Sequence, residues 1–457
     1  MTDVLQKLSD LSPERRRLLE LRMRLAQAAA DGGSAPRARP RDGDTAPASF
    51  AQERLWVVDR LDPGGAFYTM PYPLRIRGAL DVAALERALD GLRERHETLR
   101  TTFAERGGAP VQVIHPFVPV PLAVDDLSAL SPAAREAEAE RRVHADANTG
   151  FDLTAGPLFR ARLLRLAGDD HVLLLCVHHI LSDGWSMGVL GRELGALYEA
   201  FHAGRPSPLA PLPLQYADFA AWERERLSGD ALETRLAFWR NALAGAPPAL
   251  SLPTDRPRPA RQSHRGRQHR LAIEAAVADR LRALAKAEGA TLFHALLGAV
   301  RLLLARWGGD DDVVLGTPTA NRGRGEVEGL IGFFANTLPL RGDLSGDPTF
   351  AALVRRERDG ALAAIAHQEL PFERIVDALR VPRDPGRNPV FQAMVSLPNA
   401  RIDPVRLAGV EIEPLRVEYD TAKFDLLFDV IEEEHGGLSV ETEYATDLFD
   451  AATIDSL

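Results

Sequence analysis

The stretch His178-His179-Ile180-Leu181-Ser182-Asp183-Gly184-Trp185-Ser186 places two imidazoles, a carboxylate and a turn-forming glycine within nine residues. An imidazole with a pKa near 6.5 accepts and returns a proton at neutral pH, which suits group transfer to an amine or alcohol. The run VLLLCVHH (172–179) is continuous and apolar, as expected of a strand covered on both faces. Successive strand side chains point to opposite faces, so one histidine is expected to line a cleft while the other packs inward. Asp183 follows His179 by four residues, and Gly184 permits a tight turn that returns the carboxylate toward the strand end. A single His near an Asp is more commonly a structural hydrogen bond, but the full HHxxxDG string should arise by chance on the order of once in hundreds of such chains. Two histidines on opposite faces supply at most two metal ligands, and no third is close in sequence, so no metal is expected. There is no G-x-S-x-G nucleophile elbow, and Cys176 lies within the apolar strand, which argues against a covalent acyl-enzyme.

These residues sit in a chain of 457 with 45% hydrophobic and 26% charged residues, an ordinary balance for a globular protein of two or three domains. Acidic residues outnumber basic ones, 65 to 55, which argues against nucleic acid as the main partner. The one cysteine cannot form an internal disulfide, and no apolar run reaches the roughly 18 residues that span a bilayer. Without a signal-peptide core at the N-terminus, the expected location is the cytoplasm. Residues 1–31 read as an amphipathic helix started by Ser12-Pro13, and 32–47 as a Gly, Pro and Arg-rich linker from which that segment hangs. Asp81 is placed to cap a helix bearing Val82, Leu85, Leu89 and Leu92, and helical periodicity resumes after Ser186. Later, Thr291 precedes a long apolar helix, DVVLGTP reads as a strand, and a helix runs from about Thr349 to Gln368. Helices and strands alternate in both halves, giving an α/β or α+β class. The expected division is an N-terminal segment 1–47, a lobe 48–222 carrying the histidines and a lobe 223–457.

The HHxxxDG string resembles the signature of the condensation domains of nonribosomal peptide synthetases, and the Trp185-Ser186 continuation is similar to the subtype that joins two aminoacyl units (LCL-like). Further motifs fall in that family's order: SFAQERLW (49–56), RHETLRTTF (95–103), YADFAAW (216–222), GTPTANR (316–322), IGFFANTLPLR (331–341), HQELPFE (367–373), RDPGRNPVFQ (383–392) and EYATDLFD (443–450). The resemblance implies two lobes, each like a chloramphenicol acetyltransferase protomer, set in a V-shaped pseudo-dimer around a central tunnel. It implies amide formation: the amine of a downstream carrier-bound aminoacyl thioester attacks the thioester of an upstream carrier. No cofactor is bound directly; phosphopantetheine arms of the carriers present the substrates. His179 maps to the middle of the tunnel as general base or hydrogen-bonding positioner. Asp183 maps to a residue paired with an arginine, matched here to Arg322, and Asn388 of GRNP maps to a supporting position. His178, Gly184 and Trp185 complete the motif.

Most remaining motif residues read as structural. Trp56, Phe219, Trp222, Phe333 and Phe334 are expected in core or interface packing, Arg54, Arg95 and Arg100 in ion pairs, and His96, His294 and His367 in structural contacts. Plant CoA-dependent relatives carry a DFGWG absent here, and heterocyclising relatives replace both histidines by aspartates. A different class of function is a catalytically silent platform that recruits a carrier or tailoring enzyme, in which relatives lose parts of HHxxxDG. The chain stops in a starting helix at ATIDSL, as expected of a fragment that runs on into an adenylation domain. The segment 1–31 is a candidate for docking an upstream polypeptide, and a monomer is expected.

Overall fold

The computed structural model describes residues 35–41, 43–61, 63–381, 384–398, 405–417 and 419–457. The expected helix at 1–31 lies outside them. Part of the expected linker does not hang free: the Arg39 amide and the Arg41 guanidinium hold the Asp218 carboxylate at 2.7–3.0 Å, and Thr45–Pro47 forms strand β1. A Pro- and Arg-rich composition reads as linker because it lacks an apolar period; here arginine anchoring and edge pairing fix it instead.

After β1 come helix α1 (Phe50–Leu61), strand β2 (Thr69–Gly78) and helix α2 (Val82–Arg95), the last capped by the Asp81 carboxylate on the Ala84 amide. Strands β3 (Thr101–Arg106) and β4 (Ala109–Ile114) follow as a hairpin whose two turn residues, Gly107 and Gly108, both have positive φ, the combination a tight hairpin turn requires. With β1 they make a three-stranded sheet ordered β1-β4-β3. Strand β5 (Ala123–Asp126), helix α3 (Pro132–Ala147), and strands β6 (Phe159–Ala167) and β7 (Asp170–His178) then lead to helix α4 (Gly184–His202). Eight consecutive residues of β7 are buried, because helices cover both faces of its sheet. On one face Leu173, Leu175 and Val177 meet Leu85, Leu89 and Leu92 of α2 and Leu190, Leu194 and Leu197 of α4. On the other, Val172 meets Ala139 and Val143 of α3, and Cys176 lies against the Asp146 carbonyl.

Helices α5 (Tyr216–Arg226) and α6 (Gly229–Ala242) lead into the second half. The expected lobe boundary at residue 222 therefore falls inside α5. The second half supplies β8 (Gly266–Ile273), α7 (Ala275–Ala287), α8 (Leu292–Gly308), β9 (Asp312–Thr319), β10 (Asn336–Asp343), α9 (Phe350–Ile365), α10 (Phe372–Leu379), β11 (Ala393–Ser396), β12 (Val410–Pro414), β13 (Leu426–Glu432), β14 (Leu438–Ala445) and α11 (Ala451–Ser456). Its six-stranded sheet runs β10-β9-β11-β13-β14-β8, parallel only where β11 meets β9 and β13. Inside this lobe Arg301 of α8 is fully buried. It is paired with Glu357 of α9 and donates to the Val313 and Leu340 carbonyls of β9 and β10.

Strand β12 leaves the second half and pairs antiparallel with β2, giving the first lobe's sheet the order β12-β2-β7-β6-β5. The halves are also joined by a cluster in which Tyr216, Phe219 and Ala220 of α5 pack on Val327, Leu330 and Phe334. Among the described residues no single helix is long and apolar enough to cross a membrane.

Candidate active site

Strand β7 ends at His178, one residue earlier than its apolar run suggests, and His179–Leu181 form a 3-10 turn. The expected alternation of faces thus gives way to a turn, and one ring, that of Tyr68, lies near both histidines, at 6.1 and 6.3 Å between centroids. The turn is held from outside by Gln52 of α1, whose amide donates to the Ile180 carbonyl at 3.1 Å.

The two imidazoles take opposite tautomers. His178 Nδ1 accepts from the Ile180 amide at 3.1 Å, so its proton resides on Nε2. His179 Nδ1 lies 2.8 Å from the Ser182 carbonyl, which can only accept, so Nδ1 carries the proton and Nε2 keeps its lone pair. His179 Nε2 has no hydrogen-bond partner among the described residues. Burial pushes the His179 pKa down to about 3, assisted by the positive charges of Lys423 and Arg54. Burial, with the neighbouring His179, takes His178 to about 3 as well. Both rings are therefore neutral at physiological pH, and only His179 offers an acceptor nitrogen to the site. Phe333 stands edge-on to it at 4.8 Å, so this phenylalanine belongs to the site rather than to packing alone.

Asp183 is the hub. Its Oδ1 caps α4 by accepting the Ser186 amide at 2.8 Å and takes Arg322 Nη2 at 3.3 Å. Oδ2 accepts the amides of Phe334 and Ala335 at 3.0 and 3.1 Å. Arg322 further donates to the Val327 and Leu330 carbonyls and to Ser186 Oγ, and its guanidinium covers the Phe334 ring at 3.9 Å. Ser186 Oγ in turn donates to the Gly332 carbonyl and accepts the Gly332 amide. The structure thus brings Asp183 and Arg322 together, in a clasp that ties the histidine turn to the segment 327–335. Ser186 is part of this clasp, a role that its place directly after Trp185 could have signalled.

Gly184 differs from expectation. It opens α4 without a positive φ, and a Cβ there would meet nothing within 4 Å, so neither the turn nor chain packing requires glycine. Trp185 donates its indole N–H to the Glu328 carbonyl at 2.9 Å, another link between the halves. Asn388 bonds to neither histidine. It accepts from Gln262 and donates to the Lys423 carbonyl at 3.2 Å, while Glu443 accepts the Lys423 amide at 2.6 Å, so Asn388 braces the backbone of the residue whose charge reaches His179. Sequence reasoning missed Tyr68, Lys423 and the buried Glu223, which accepts the Phe50 amide at 3.0 Å. Arg54 pairs with Glu373 at 3.2 Å, joining α1 to α10, and His96 with Glu193 at 2.6 Å. His367 stacks on Phe238, and His294 accepts the Thr291 amide at the start of α8.

A family profile for the condensation domain matches residues 43–457. The chain belongs to this family. One component of the linear gramicidin synthase of Brevibacillus parabrevis is 49% identical over 420 residues, 92% of this chain but 5% of that protein, so the condensation domain spans a small part of such relatives. Among solved structures, the X-domain from teicoplanin biosynthesis superposes with a TM-score of 0.84 at 34% identity, covering 93% of this chain and 94% of that one. That X-domain is also known in complex with OxyB. The first condensation domain of the calcium-dependent antibiotic synthetase matches with a TM-score of 0.74 at 26% identity, covering 90% and 93%. These likenesses establish a mixed α/β, chloramphenicol acetyltransferase-like fold for the domain, carrying a condensation-domain histidine motif.

Proposed function

We propose that this chain forms amide bonds between two carrier-tethered substrates, within a tunnel between its lobes that has His179 at its middle. An upstream carrier presents an acyl or peptidyl thioester, and the amine of a downstream aminoacyl thioester attacks it. The observation that carries this reading is the neutral imidazole of His179, locked through Nδ1 with Nε2 unengaged. A thioester is already activated, so the tasks left are alignment of two tethered reactants and removal of one proton from the attacking amine. Nε2 is suited to take or orient that proton, and Asp183 and Arg322 support the geometry without touching substrate. Cys176 has its pKa pushed up by burial to about 12, in keeping with direct transfer. An adenylation domain would adjoin this domain in the complete synthetase, and the chain would act as a cytoplasmic monomer, with residues 1–31 aiding docking of the upstream carrier.

The test is product formation between two loaded carrier proteins, read by intact mass. His179→Ala should retain its melting transition and lose on the order of 10²- to 10⁴-fold in rate. A folded His179→Ala at wild-type rate would remove His179 from the chemistry. A second reading, a silent platform for a partner enzyme, has one favouring observation: the likeness to an X-domain solved with OxyB. Binding of a tailoring enzyme without product from any carrier pair would establish it instead.

A further inference from the structure

Tyr68 closes the 3-10 turn Ala66–Tyr68 directly before β2, whose first residue, Thr69, pairs with His178. That register sets the phenol beside the end of β7, its ring 6.3 Å from His179 at an interplanar angle of 81°. Phe67 packs edge-on against it at 4.6 Å. The Tyr68 side chain is half-buried, yet its hydroxyl has no hydrogen-bond partner among the described residues. The charged groups near it, Arg54 and Glu373, bond to each other at 3.2 Å. Burial pushes its pKa up, moderated by Arg54 and reinforced by Glu373, so the phenol keeps its proton at neutral pH. A phenol on a half-buried ring with no acceptor among the described residues is free to donate to a ligand that reaches it.

Attack of an amine on a thioester creates a second demand beside proton removal. As the C–N bond forms, the carbonyl π pair moves onto oxygen, and a preorganised donor there lowers the barrier. Several of the groups around the histidine are committed or unsuited. His179 carries its one proton on Nδ1 and directs it to Ser182. Phe333, the second ring against His179, has no side-chain donor. The amides of Phe334 and Ala335 are engaged by Asp183.

On the reading that this chain condenses carrier-bound thioesters, we propose that Tyr68 is a catalytic residue whose O–H donates to the carbonyl oxygen of the upstream thioester. The amine nitrogen bonds to the carbonyl carbon, the oxygen takes the electron pair against the Tyr68 hydroxyl, and Nε2 of His179 takes the amine proton. Collapse restores the carbonyl and breaks the C–S bond, and the departing thiolate takes up the proton.

The experiment is single-turnover condensation by the full chain with loaded donor and acceptor carriers, for wild type, Tyr68→Phe and His179→Ala. Tyr68→Phe keeps the three ring contacts and removes the donor. The expected result is a rate lower by about 10²- to 10³-fold with unchanged half-saturating carrier concentrations and an unchanged melt. A wild-type rate for Tyr68→Phe, while His179→Ala is impaired, overturns the proposal. Absence of product with wild type would instead sink the condensation reading. Replacement of Tyr68 by a fluorinated tyrosine separates catalysis from packing: ionisation of the more acidic phenol should add an alkaline fall in rate. An unaltered pH–rate profile with it counts against the donor role.

Discussion

Asp183→Asn is isosteric and yet should be severe. Each carboxylate oxygen faces only donors: the Ser186 amide and Arg322 on Oδ1, the Phe334 and Ala335 amides on Oδ2. An asparagine has one oxygen to share between these two sides. With its oxygen toward Ser186 and Arg322, its NH2 confronts two amides that lose their acceptor, at about 1–3 kcal/mol each. Flipped, it forfeits the helix cap, worth about 1 kcal/mol, and in both orientations the buried guanidinium loses its countercharge. Either orientation gives an expected loss of about 2–5 kcal/mol. Urea unfolding followed by far-UV circular dichroism, at pH 7.5 and 25 °C, reads this as a shift in midpoint at constant slope. The pair is then tested by Arg322→Met and the double variant. Shared loss should make the double variant milder than the sum by about 0.5–3 kcal/mol. Asp183→Asn within about 1 kcal/mol of wild type, or strict additivity with Arg322→Met, would refute the clasp.

Glu223 is buried, and desolvation raises its carboxyl pKa to about 7. A carboxyl raised in the fold binds its proton more tightly there than in the unfolded chain, so its contribution is full below the unfolded value of 4.5 and is lost as pH rises through 7. Glu223→Gln should therefore raise the melting temperature at pH 8 relative to wild type, and the advantage should vanish at pH 5. Gly332→Ala places a Cβ 1.9 Å from the Tyr216 ring, at the backbone that Ser186 grips, and should cost about 1–3 kcal/mol together with condensation rate; an unchanged melt would show that the segment 327–335 yields freely. Cys176, 2% exposed, should resist iodoacetamide in the native state and react fully in urea, as mass spectrometry of alkylated protein would record.

The clasp is within reach of the sequence only through the family resemblance, which implies that the carboxylate of HHxxxDG pairs with an arginine, here matched to that of GTPTANR; once both are buried, each needs the other. The short turn at His179 is not legible, because an apolar run carries no mark of where its last strand hydrogen bond falls. Phe333 reads as an ordinary packing ring and Tyr68 carries no signal of its own, since nothing local distinguishes a ring in a core from one that faces a histidine across the fold. Lys423 acquires its role only when the second half folds against the first. The Arg39–Pro47 anchor is likewise invisible, its partners Asp218 and β4 lying far along the chain.

Strand β12 bears on how the protein is made. Arg77 of β2 and Glu413 of β12 form an ion pair across 336 positions of sequence, so the first sheet keeps an unpaired edge along β2 until Glu413 has left the ribosome. An open strand edge is a template for pairing with the wrong partner. A lobe cut free at the α5 region would carry that edge permanently, and should associate with itself rather than fold as an independent unit. Slowing translation of the second half should increase aggregation of the nascent chain, and supplying residues 405–417 in trans should relieve it.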